Sequence, residues 1–214
     1  MADFRIDIIC DTVCPWAYLG YSRLKQAMEQ LGDDYRFDIR WQPLELHPEV
    51  STQGQDRIEY LTSRFGSEER LNEADHALQQ VGKEEGIEFN FSDKAIIPNT
   101  YLSHQLIHIA NTKKLGTNLA LALFHAYFSD AKDIGDVDVL AEIGKQAGLD
   151  EDAIEDAFTE ETKVKVEKKL AQFKKLEIDS SPTYVINDQY VIQGPHQAKD
   201  FFKVIMDIAE KTPA

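Results

Sequence analysis

The sequence predicts a mixed α/β fold carrying a large all-helical insertion. Three observations lead there. Alternating hydrophobicity marks strands only near the two ends of the 214-residue chain. Helical periodicity fills the middle. Prolines are absent from Glu49 to Ile97 and again from Asn99 to Ser181, which leaves room for long helices because an interior proline costs about 3 kcal/mol.

Each element has its own signal. Phe4, Ile6, Ile8 and Cys10 alternate with Arg5, Asp7 and Ile9, the period of two of a strand. After Cys14-Pro15-Trp16, residues Tyr21, Leu24, Met28 and Leu31 recur at helical spacing, and Gly32 is a stop signal. Phe37, Ile39 and Trp41 alternate with Arg36, Asp38 and Arg40, a second strand. Helices are expected at 56–65, 67–85, 99–114, 117–129, 136–147, 151–159 and 161–175, with Asp136 and Asp150 as N-caps. Tyr184-Val185-Ile186, the turn Asn187-Asp188 and Tyr190-Val191-Ile192 predict a hairpin. Pro195 is then expected to open a helix with Ala198, Phe201, Phe202, Ile205 and Ile208 on one face. The order is β-α-β, a helical block, then β-β-α. Residues 1–50 and 176–214 are expected to form one discontinuous domain, with 51–175 inserted as a helical domain.

Composition narrows the function. With 43% hydrophobic and 29% charged residues the chain is neither disordered nor collagen-like. Its net charge of −15 repels phosphate backbones and anionic lipid, so nucleic acid and membrane surfaces are not expected partners. No apolar run reaches the ~18 residues of a spanning helix. The start, MADFRIDIICDTVC, places Asp3 and Asp7 where a signal peptide would be basic and then apolar, so a cytoplasmic location is expected. In a reducing compartment two cysteines do not make a permanent structural disulfide. Each is inert in the core or chemically useful.

Cys14 is the strongest candidate for chemistry. It follows a strand and directly precedes Pro15, which suits the first position of a helix. That makes Cys14 the N-cap, where free N–H groups and the positive helix end favour a thiolate, so a depressed pKa is expected. Asp11 would oppose this if its carboxylate pointed inward. Cys10, on the core face of the first strand, is expected to be buried and structural. Extended chain would hold its Cα about 13 Å from that of Cys14, and a disulfide needs about 7 Å or less. His104 and His108 have the i, i+4 spacing of a metalloprotease helix, but Gln105 stands where the glutamate would be, so no metal site is expected. Glu45 and His47 read as a solvated loop, the lysine-rich run 163–175 as a solvated helix face, and Phe201 and Phe202 as core.

Ser181-Pro182 lies before a strand. Taken alone it would be an ordinary trans proline at a strand start. The β-α-β … β-β-α order is the thioredoxin plan, however, and Asp11-Thr12-Val13-Cys14-Pro15-Trp16-Ala17-Tyr18-Leu19-Gly20 resembles the active-site segment of the DsbA-like thioredoxin superfamily, in its FrnE-type branch. Pro98-Asn99-Thr100 with the following His104, Ser180-Ser181-Pro182-Thr183-Tyr184-Val185-Ile186 and Ile192-Gln193-Gly194-Pro195-His196-Gln197 resemble it too. The resemblance implies a thioredoxin-like fold with Cys14 as the attacking thiol and Pro182 as a cis-proline facing it. It implies a substrate surface made by Pro15, Trp16, Ala17, Asn99, His104, Ser181, Thr183, His196 and Gln197. It also implies disulfide-containing proteins or small thiols as partners, glutathione as a co-substrate with no tightly bound cofactor, and a homodimer, a state relatives often adopt.

One departure matters. Redox members carry Cys-x-x-Cys, whereas this chain has Cys14-Pro15-Trp16-Ala17. The related 2-hydroxychromene-2-carboxylate isomerases, glutathione-dependent like the kappa-class transferases, usually carry serine at the Cys14 position. Three readings follow. One is a thiol–disulfide oxidoreductase with a single active thiol resolved by glutathione or another external thiol. The second is a glutathione-dependent isomerase or transferase, in which Ser181 and the amides of His196 and Gln197 hold the tripeptide. The third is a non-catalytic thioredoxin-like module.

Overall fold

The computed structural model describes residues 2–91 and 96–211. A four-stranded sheet is built from β1 (Ala2–Cys10), β2 (Tyr35–Pro43), β5 (Thr183–Ile186) and β6 (Tyr190–Gln193), in the order β2-β1-β5-β6. β1 is parallel to β2, joined by the crossover helix α1 (Pro15–Leu31), and antiparallel to β5. The β5–β6 hairpin turns through the three residues Asn187, Asp188 and Gln189; Asn187 and Asp188 both have φ near +55°, and the Gln189 N–H closes the turn on the Ile186 carbonyl. The last helix is α9 (Ala198–Lys211).

Between β2 and β5 come α2 (Arg57–Phe65), α3 (Glu68–Glu84), α4 (Tyr101–Thr112), α5 (Gly116–Phe128), α6 (Val137–Gln146), α7 (Glu151–Ala157) and α8 (Glu160–Lys175). Their ends fall within two residues of the expected ones. The reason is local: Asp56, Ser67, Asp136, Asp150 and Thr159 each accept a backbone N–H of the helix they open. The block is not wholly helical, as the sequence had suggested. β3 (Gln55–Asp56) and β4 (Ile96–Ile97) pair antiparallel, a two-residue ladder placed where β-branched residues meet Pro98. A second correction concerns α9, which starts at Ala198 rather than at Pro195. Gly194, at φ 88°, turns the chain, its N–H reaches the Pro182 carbonyl, and the His196 N–H folds back onto the Gly194 carbonyl.

The strand alternation separates two faces. Phe4, Ile6, Ile8 and Cys10 face inward with Trp41, Tyr184, Leu24, Phe201 and Ile205 in one buried core. Arg5, Asp7 and Ile9 point to the other face. β2 is an edge strand, and the inserted block closes its free edge. The Asn111 side chain of α4 accepts from the Trp41 N–H at 3.3 Å and donates to the Trp41 carbonyl at 2.7 Å. The Trp41 indole donates to Thr117 of α5 and packs edge-on against Phe124. The helices are thus bonded to the sheet at the level of individual backbone groups.

Tyr184 is fully buried, and its hydroxyl has no hydrogen-bond partner among the described residues. That hydroxyl occupies the space a Cβ at Gly20 would need, which explains a glycine inside α1. Gly20→Ala should therefore destabilise the fold by about 1–3 kcal/mol through overpacking. Tyr184→Phe removes both the obstruction and an unsatisfied buried group, so it should be neutral or stabilising alone and should rescue Gly20→Ala. Urea melts of the two single variants and the double variant measure this, and a double variant as unstable as Gly20→Ala would contradict it.

Candidate active site

Cys14 is the N-cap of α1 with Pro15 in the first turn, and its backbone is extended (φ −91°, ψ 108°). Its N–H donates to the Asp11 carbonyl, while its own carbonyl accepts from Ala17 N–H, both at 3.1 Å. The Sγ donates to the Ser181 carbonyl at 3.5 Å, and the Ser181–Pro182 peptide bond is cis. Among the described residues the Ser181 N–H has no partner, so it stays available beside the sulfur. Trp16, 40% exposed, stands next to the thiol on the outer surface.

The helix position does not make the thiol acidic. Cys14 is only 2% exposed, and burial pushes its thiol up to about 11. Hydrogen bonding with Ser181 and with the amides of Ala17 and Trp16 pulls the other way, and the Asp11 charge adds to the rise. The expected depression is corrected: loss of water outweighs the helix end. At neutral pH Cys14 is a thiol that donates a hydrogen bond.

Asp11 organises the loop. It is completely buried. Its carboxylate accepts from Leu46 N–H at 2.6 Å and from Val13 N–H at 3.4 Å, and lies 3.6 Å from His104 Nε2. Its own N–H donates to Ser181 Oγ at 3.2 Å. One residue therefore ties the end of β1, the chain after β2, helix α4 and the Ser181 loop together. Thr12 adds a buried 2.8 Å hydroxyl contact to Ser103, which in turn donates to the Thr100 carbonyl. Sequence reasoning met Asp11 only as a charge near Cys14. The available signal was an acidic residue and a threonine directly following an apolar strand, a pattern that forces a buried carboxylate to find backbone donors.

The other expected site residues divide. Ser181, Pro182, Pro15 and Trp16 gather around Cys14. Ala17 is fully buried one turn into α1. His104 is buried and bonded to the Leu44 carbonyl at 3.0 Å, so it braces the loop. Asn99 spends its side chain on Val50 and on the start of α4. Thr183 is buried with its hydroxyl on Ser180. The His196 N–H is taken by Gly194, which leaves Gln197 with the free amide. Each of these four has polar atoms paired inside the chain. Cys10 is buried, and burial, Cys14 and Asp11 all raise its pKa.

The residues read as surface also change. Glu45 and His47 flank Leu46 and are half-buried. Burial raises the Glu45 carboxyl and lowers His47, whose Nδ1 meets the Tyr60 hydroxyl at 3.0 Å. Lys169, in the basic run, is half-buried on Gln42. His104 and His108 lie one turn apart on α4, and no group of three His, Cys, Asp or Glu among the described residues could hold a metal ion.

The model of the DSBA-like thioredoxin domain matches residues 5–205. The chain belongs to that family. The chain is similar to the uncharacterized protein YwbO of Bacillus subtilis (strain 168), 26% identical over 209 residues, covering 97% of this chain and 98% of YwbO. The fold is similar to that of the probable DsbA oxidoreductase SCO1869 from Streptomyces coelicolor, with a TM-score of 0.87 at 23% identity over 99% of this chain and 92% of that one. It is also similar to that of the cytosolic disulfide reductase DsbM from Pseudomonas aeruginosa with GSH, with a TM-score of 0.64 at 16% identity, over 96% and 99%. No helix among the described residues is long and apolar enough to cross a membrane.

Two outcomes test the site. Alkylation of Cys14 by iodoacetamide should accelerate about tenfold per pH unit between pH 7 and 10, since only the thiolate reacts and its fraction climbs until pH nears the pKa. A rate that levels off below pH 8 would refute the burial argument. Asp11→Ala, which strands the buried Leu46 and Val13 amides, should cost about 2–4 kcal/mol in a urea melt.

Proposed function

We propose that the chain is a single-thiol thiol–disulfide exchange enzyme resolved by an external thiol such as glutathione. One observation carries this: Cys14 is the thiol set against the Ser181 backbone, and the position a turn further on, where a second thiol would sit, is the buried Ala17. Cys14 loses its proton to solvent and attacks one sulfur of a substrate disulfide. The new S–S bond joins Cys14 to that half, and the other half leaves as a thiolate and takes up a proton. An external thiolate then attacks the mixed disulfide, expels Cys14 as thiolate and leaves with the first half as a new disulfide. The substrate disulfide is reduced at one sulfur, and the external thiol is oxidised into the mixed product. The Ser181 N–H is placed to pair with the backbone of the bound partner, and Trp16 forms the outer wall. DsbM, a disulfide reductase with GSH, supports glutathione as the resolver and the cytoplasm as the compartment.

The raised pKa favours a second reading. A neutral Cys14 S–H can donate to the thiolate of a bound glutathione, as a serine would, in a glutathione-dependent isomerase or transferase. Gln197 N–H would then hold the tripeptide carboxylate without the help of His196.

Cys14→Ser separates the two. Exchange predicts that glutathione disulfide adds one glutathionyl group to the wild type and none to Cys14→Ser, by intact mass, and that insulin reduction with added glutathione falls to background in the variant. A donor role predicts that the serine variant retains glutathione binding and that no adduct forms on the wild type.

The missing resolver gives one more expected outcome. Ala17→Cys should close a disulfide with Cys14 under oxidising conditions and gain insulin reduction that needs only a dithiol reductant. Cys10→Ser should leave wild-type exchange within about twofold. Loss of exchange in Cys10→Ser would instead make Cys10 the resolving thiol.

A further inference from the structure

The outer face of the sheet, turned away from α1 and α9, forms one wall of a cleft of about 1230 Å³ whose opposite wall is α8. Neither Cys14, Ser181 nor Pro182 lines it, and the thiol chemistry leaves it unused. Its charges are unevenly satisfied. The three lining aspartates are all paired: Arg5 reaches Asp7 at 2.8 Å and Asp188 at 3.1 Å, and Arg40 reaches Asp38 at 2.6 Å. The two lining lysines are not. Lys169 and Lys114 have no carboxylate within ion-pair distance among the described residues. Lys169 is half-buried and makes a single hydrogen bond, to Gln42 Oε1 at 2.6 Å, while Gln42 is itself held by Asp7. Two of its three ammonium protons are left for something in the cleft. Burial lowers the Lys169 pKa, consistent with an ammonium short of solvent, and Asp7 partly restores it.

The lining thus carries four cationic side chains against three aspartates, an excess of one in a chain of net charge −15. Lys114 is exposed, but a half-buried ammonium such as that of Lys169, without an anion, is costly unless something completes it. Part of the wall is apolar. Phe173, Leu176 and Ile178 of α8 and its exit face Ile9 and Val185 of the sheet, and Leu176 is 60% exposed. An apolar patch beside cationic and hydrogen-bonding groups in one concavity suits an amphipathic ligand.

We propose that this cleft binds an amphipathic monoanion, a carboxylate on a hydrophobic body, with Lys169 and Lys114 meeting the carboxylate and Phe173, Leu176 and Ile178 covering the body. The site is separate from Cys14 and stands whatever chemistry the thiol performs.

Isothermal titration of the full chain with dodecanoate, below its micellar concentration, tests this. The expected result is one dodecanoate per chain, with no saturable binding of acetate or of dodecyltrimethylammonium at the same concentrations. Lys169→Met should weaken dodecanoate at least tenfold, and Leu176→Asp and Lys114→Glu, at exposed positions, about threefold or more each. Thermal melts accompany each variant, and if Lys169→Met fails to fold the two exposed variants decide. The proposal is overturned if dodecanoate does not bind, if the ammonium isostere binds as tightly, or if Leu176→Asp and Lys114→Glu bind like the wild type.

Discussion

A single buried carboxylate sets the geometry of the thiol loop. Asp11 has no water, so every lone pair must be answered by the protein. The answers come from Leu46 N–H beyond β2 and Val13 N–H in the loop itself, with His104 of α4 beside them. Through its backbone Asp11 also receives Cys14 and reaches Ser181. Four chain segments far apart in sequence therefore share one satisfied group. Shifting any one would leave a buried donor or acceptor open, at a cost of about 1–3 kcal/mol each. This is why the sulfur, the Ser181 carbonyl and the helix end keep a fixed relation.

The same burial explains the state of the thiol. A helix N-terminus stabilises a nearby anion by about 0.3–1 kcal/mol when exposed and by up to ~2 kcal/mol when partly buried. Full desolvation of a thiolate acts on a larger scale and in the opposite sense. With Cys14 sealed by the Ser181 loop and a carboxylate behind it, the second effect wins. The helix end contributes geometry more than acidity.

Much of the fold was legible in the sequence because its signals are local. Strand alternation, helix caps and the Asn187-Asp188 turn each operate within a few residues, and they located almost every element. Cys14, Ser181 and Pro182 were legible as one site because their motifs and the order of elements point to one family. What escaped depends on partners distant in the chain. His104, Asn99 and Thr183 look like available polar groups until the folded chain supplies Leu44, Val50 and Ser180 to occupy them. The outer-face cleft was equally invisible: Lys169 belongs to a run of lysines, and only the fold sets it apart by turning it onto Gln42. Burial, too, is a property of the assembled molecule, so the thiol's acidity could not be read from its position on a helix.

The split of the sheet across the helical block has a consequence for synthesis. Cys14 and the carbonyl that accepts its hydrogen bond are 167 residues apart. At the ~5–20 residues per second typical of translation, the first reaches completion about 10–30 s before the second. During that interval β1 lacks its β5 neighbour, and both cysteines lie on a surface not yet roofed. The thiols are thus most open to oxidants and stray disulfides while the chain is still being made, and the closing hairpin is what withdraws them.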